Sequence, residues 1–242
     1  MPWVETESPS FHARHESADS EAAGRLLHEL ERFRTRLEQL FEIVPGDVTV
    51  VIHPRSAMLT LANPWLPLAR ALSAPAGRRY FAGTFAPREI HVLAPAELER
   101  RASGSAGSRE ALLLSPLHEY AHLVVGANNP ALPPPFTPAA FAGYVRKTWL
   151  CEGSAVHLSG QAPHMRAAVV RRLREGGRPS FPPGSRDALV LGGTVFSLLE
   201  REQGPQACVG LALTGRLEEV FGRSFADIGR EWLAYVEAFS AA

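Results

Sequence analysis

The stretch Leu112-Leu113-Leu114-Ser115-Pro116-Leu117-His118-Glu119-Tyr120-Ala121-His122-Leu123-Val124-Val125 decides how this chain reads. Its apolar flanks predict a buried helix over residues 109–126. Within it stands the pattern H-E-x-x-H. Two histidines at i and i+4 on a helix share one face, one turn apart. That spacing lets both imidazoles reach a single zinc ion at about 2.0–2.1 Å. Glu119, beside the first histidine, can take a proton from a water that the metal activates. With nine His and 21 Glu in the chain, random placement gives roughly 0.03 matches to the pattern. Placed without purpose in so apolar a helix, three such side chains would cost desolvation with nothing gained.

A catalytic zinc takes three protein ligands and leaves one position open. The candidate for the third lies in Trp149-Leu150-Cys151-Glu152-Gly153-Ser154-Ala155. Glu152 follows His122 by thirty positions, enough for a loop and a returning helix. The ordinary reading of Glu152 is an acidic residue in the first turn of a helix, where the dipole favours it. Gly153 permits close helix–helix approach. Cys151 is adjacent to Glu152, and neighbours on a helix point about 100° apart, so both do not reach one ion. Cys151 is therefore read as a buried, inert thiol, and Tyr120 as core packing facing away from the metal.

HEYAH followed by WLCEGSA resembles the gluzincin metallopeptidases, and within them the small bacterial peptidase MA-like proteins. The resemblance extends to Phe221-Gly222 and to Trp232 in the last helix, and spans about residues 20–240. It implies an α+β, zincin-like fold in which a small N-terminal sheet roofs a cleft and the motif helix forms its floor. It implies one zinc per chain on His118, His122 and Glu152, with Glu119 as the general base of peptide-bond hydrolysis. Members of the clan place a tyrosine or histidine downstream to stabilise the oxyanion. In relatives a tyrosine opens the helix corresponding to 186–200, where this chain has Arg186-Asp187-Ala188-Leu189-Val190. His157 and His164 are the candidate substitutes. Where several relatives carry a carboxylate behind the ligands, this chain has Val156. These departures frame an alternative: a zinc-binding protein of the same fold that holds a peptide or protein partner without cleaving it. No amine-recognition motif of the aminopeptidase type is present, which points to internal cleavage.

Around these segments the chain divides into two parts. Residues 1–18 are polar and aperiodic and read as a loose arm. Residues 19–242 read as one domain. From 19 to 102 it comprises an amphipathic helix over 19–44, a buried strand at 48–53, short helices and loops over 54–78, and a hairpin of 79–85 with 89–93. From 109 to 242 nearly everything is helical. Gly192-Gly193 inside an apolar helix marks close packing of two helices.

Composition narrows the partners. In 242 residues, 25 basic and 25 acidic side chains cancel, which gives no global pull toward nucleic acid or an anionic membrane. Two cysteines make no disulfide framework. The polar N-terminus lacks the apolar core of a secretory signal, and no apolar run approaches the ~18 residues of a membrane span. The expectation is a cytoplasmic protein acting on a peptide or protein substrate.

Overall fold

The computed structural model describes residues 2–241. In chain order the first part comprises β1 (Trp3–Glu7), β2 (Phe11–Glu16), α1 (Ser20–Leu37), β3 (Val48–His53), α2 (Ser56–Ala62), α3 (Leu66–Leu72), β4 (Gly83–Ala86), β5 (Glu89–Leu93) and α4 (Pro95–Arg101). The second part is helical: α5 (Ser108–Leu113), α6 (Ser115–Asn128), α7 (Pro138–Arg146), α8 (Thr148–Leu158), α9 (Arg166–Arg174), α10 (Ala188–Gln203), α11 (Pro205–Thr214), α12 (Leu217–Phe221) and α13 (Phe225–Ala241). The architecture is α+β, with one five-stranded sheet in the order β1-β2-β3-β5-β4.

Residues 3–16 are not a loose arm. They form two strands of the sheet, β1 antiparallel to β2 and β2 parallel to β3. Phe11, Ala13 and His15 alternate inward and are buried. The period of two is masked in the sequence because the outward positions are His12, Arg14 and Glu16, and one inward position is itself a histidine. His15 is accommodated by hydrogen bonds to Thr6 Oγ1 and the Glu16 carbonyl, both 2.8 Å. Glu31 of α1 fastens the turn, accepting from the Ser8 hydroxyl and the Ser10 N–H at 2.7 Å each.

The central strands bury one face. Phe11 pairs with Val48, Ala13 with Val50, Val50 with Ile90 and Ile52 with Val92. All are fully buried, in a cluster with Leu27, Leu30 and Phe33 of α1 and Tyr120, Leu123 and Val124 of α6. Tyr120 packs edge-on against Phe11 and Phe33 and donates to the Pro45 carbonyl at 2.5 Å. It is core, turned toward the sheet, as read.

A second cluster fills the helical part around Phe196, Trp232 and Leu150. Here α8 crosses α10 at backbone contact. A Cβ on Gly153 would sit 2.6 Å from the Gly192 carbonyl carbon, so the crossing admits only glycine on both sides. The buried pair Arg172–Asp187, 2.5 and 2.8 Å, ties α9 to the start of α10. Thus α6 lies between two cores, with the sheet on one side and α8 on the other. The helix expected over 109–126 is broken at Leu114 into α5 and α6. Pro116 has no N–H to continue the ladder and sits in the first turn of α6, where none is required. Among the described residues no helix is long and apolar enough to cross a membrane.

Candidate metal centre

Every residue of α6 from Ser115 to Gly126 is buried. His118, Glu119 and His122 therefore stand inside the protein, where polar groups need partners. His118 and His122 turn their Nε2 atoms toward each other at 3.0 Å, rings at 86°. Glu152 Oε2 approaches them at 3.4 and 3.9 Å. The three side chains offer ligand atoms within 4.8 Å of one another, and this group can hold a metal ion. Glu152 is the fifth residue of α8, past its first turn. The reading of it as an acid at a helix start does not hold.

The far sides of the ligands are held as well. Gln161 donates through Nε2 to the Ala111 carbonyl at 2.7 Å, which turns its Oε1 toward His118 Nδ1 at 2.8 Å. His118 Nδ1 then carries the hydrogen, and Nε2 keeps its lone pair for the site. Cys151 Sγ lies 3.3 Å from His122 Nδ1. It is buried, and burial holds its thiol well above the usual range. Tyr144, on α7, donates to Glu152 Oε1 at 3.1 Å. The expected downstream tyrosine is absent, and this upstream one touches the carboxylate instead. Neither Gln161 nor Tyr144 carries a sequence signal, since their partners lie 43 and eight residues away. His157 stacks on Phe196 and faces Glu200 at 4.0 Å. His164 lines a separate cavity beside Arg166 and Arg174. Neither histidine lines the cavity over the triad.

Glu119 lines a cavity of about 40 Å³ with His118, His122 and Glu152, enough for an ion and a water. Above it runs β4, the terminal strand of the sheet. A Cβ on Gly83 would lie 2.6 Å from Glu119 Cγ, so glycine is what lets the strand descend onto the site. Phe85, two residues on, stacks on His122 at 4.2 Å and meets Phe136 at 5.3 Å.

The electrostatics favour a positive charge here. Burial pushes the Glu119 carboxyl up to about 8. Burial also drives His122 down to about 3. Burial opposes charge on Glu152 as well, yet His122, His118 and the Tyr144 hydroxyl together hold its carboxyl below the usual range. The same balance, reversed in sign, raises His118 through its bond to Glu152 and the nearby Glu119. A pocket in which the buried Glu152 is held toward its ionised form beside two imidazoles is one in which a cation is at home.

No protein-family model matches the chain, and no curated protein matches it.

Proposed function

We propose that this chain is a zinc-dependent peptidase of zincin-like fold. The observation that carries the reading is the convergence of His118, His122 and Glu152 within 4.8 Å, with Glu119 on the same cavity. Two imidazole nitrogens and one carboxylate oxygen are a donor set suited to zinc, and they leave a coordination position open. When bound, zinc supplies Lewis acidity, polarising a carbonyl and lowering the pKa of a water.

The protein's own groups do the rest. Burial, with the Glu152 charge beside it, raises the Glu119 carboxyl to about 8; a cation held by the triad would favour the carboxylate that a general base requires. Glu119 then accepts the proton of the attacking water and hands it to the departing amine. Gln161 and Tyr144 hold His118 and Glu152 in place. The terminal strand β4 offers an unpaired backbone edge along the cavity, on which an extended peptide can lie as a further strand.

One observation favours the alternative of a peptide-holding protein without turnover. The start of α10 brings Leu189 to the cavity, where an oxyanion donor would be expected. A single experiment separates the readings. Reconstituted protein is expected to carry about one zinc per chain and to cleave members of a diverse peptide library. Glu119→Gln should keep the zinc and lose about 10²–10⁴-fold in rate, since an amide takes no proton. Zinc binding without any Glu119-dependent cleavage would leave the alternative standing. Absence of zinc after reconstitution at neutral pH would remove both.

A further inference from the structure

A second cavity opens beside the triad. It holds about 240 Å³ between α3, the α7–α8 junction and the start of α10. Ala69, Leu72, Phe81, Val145, Ala188 and Leu189 supply its apolar wall. It shares Phe81, Tyr144, Glu152 and Leu189 with the cavity over the ligands, so the two adjoin. The Ser73 and Thr148 hydroxyls on its wall are spent on the Ala69 and Tyr144 carbonyls, both at 2.8 Å. Its one charged lining group is Glu152, already engaged with Tyr144 and the histidines.

We infer that this cavity takes a large apolar side chain of the substrate, next to the bond that is cleaved. The inference rests on the peptidase reading and names its substrate class: peptides with an aliphatic or aromatic residue at that position. Size fits, because an apolar cavity of roughly 150 Å³ already admits benzene. Chemistry fits, because a charged side chain would be desolvated there with only the exposed Ser185 hydroxyl to meet it. The mouth fits too. Leu72 of α3 and Val145 of α7 both line the cavity, and each is more than half exposed. Leu68 and Phe141 on the same two helices, and Trp65 just before α3, are as exposed. Apolar surface concentrated on two helices flanking one opening marks a site of contact rather than scattered exposure.

The test uses blocked octapeptides of Gly and Ala with one central Leu, Phe, Ala, Asp or Lys. Cleavage by the zinc-loaded protein is expected to favour Leu and Phe over Ala by tenfold or more in kcat/KM, and over Asp and Lys by more. Binding of the same peptides to zinc-loaded Glu119→Gln, followed by calorimetry, should show the same order. Leu72→Asp and Val145→Asp change exposed positions, so fold and zinc content should persist while the preference falls at least tenfold. Glu119-dependent cleavage with no apolar preference, or with a preference that neither variant moves, overturns the inference and leaves the peptidase reading intact. Absence of any cleavage overturns the peptidase reading. Equal affinity of Glu119→Gln for Leu, Phe and Ala peptides then overturns the cavity's assignment separately.

Discussion

Two pairs of histidines in this protein bring ring nitrogens to the same separation, 3.0 Å, in different surroundings. On α6, His118 and His122 are perpendicular, and both Nε2 atoms face Glu152. Their far nitrogens meet Gln161 and Cys151. Across β3 and β5, His53 and His91 are stacked at 12°, Nε2 to Nδ1. His91 Nε2 is taken by Glu89 at 2.7 Å, so Glu89, His91 and His53 close as a chain of hydrogen bonds. No third ligand atom converges on that pair among the described residues. Proximity of imidazoles is therefore not what makes a metal centre. A centre also needs a carboxylate aimed between them and partners behind them that leave the inner lone pairs free.

The contrast is most exposed to failure at Glu152. Glu152→Ala should weaken zinc binding by several orders of magnitude, because two imidazoles remain where a full set is worth roughly 10–16 kcal/mol. Glu152→Asp keeps the charge but is one methylene shorter, and should lie between. Competition with a chelator measures all three proteins. Affinities within about threefold of one another would show that Glu152 is no ligand and would make the α6 pair no different from the strand pair.

Gln161 sharpens the point. Gln161→Leu preserves size and removes the acceptor behind His118, so zinc affinity should fall about 10–100-fold. Gln161→Glu restores the acceptor but not the amide that donates to the Ala111 carbonyl, so its affinity should lie between those of Gln161→Leu and wild type. An unchanged affinity in Gln161→Leu would mean that the far nitrogen does not matter.

The strand pair should show the smallest effects, and of a different kind. His91→Ala should leave zinc at about one per chain with unaltered affinity. The strand pair acts on stability instead. Burial, with His91 beside it, lowers His53 to about 4. A histidine whose pKa is depressed by folding binds its proton more readily in the unfolded chain. Its contribution is complete above the unfolded value near 6.5 and is lost as pH falls toward about 4. Between pH 7 and pH 5, metal-free wild type should therefore lose about 1–2 kcal/mol more than His53→Phe in denaturant titrations. Parallel losses in the two proteins would show that His53 is not the titrating group.

These cases also show where the sequence was readable. The H-E-x-x-H helix is legible because i and i+4 are neighbours by helix geometry alone. Strand β3 at 48–53 and the hairpin turn before Glu89 were legible from β-branched runs and turn residues. The strand of that hairpin is shorter than read, since 78–80 coil into a 3₁₀ turn. Helix α1 likewise ends at Leu37 rather than near 44. The first two strands were hidden because a histidine occupies an inward position and polar residues fill the rest.

By itself the sequence determined the α+β class, the motif helix with its two histidines, and the glycines that mark close helix packing. Each is a local pattern, or a residue type with one steric use. Glu152 was named from its segment, but tertiary structure alone decided that it meets the histidines from the second turn of α8. It also decided that Gln161 and Tyr144 stand behind the ligands, and that Gly83 carries the terminal strand onto Glu119. The physical reason is distance along the chain. A side chain's partner 43 residues away leaves no period and no spacing to read, because that contact exists only after two cores have packed α6 between them.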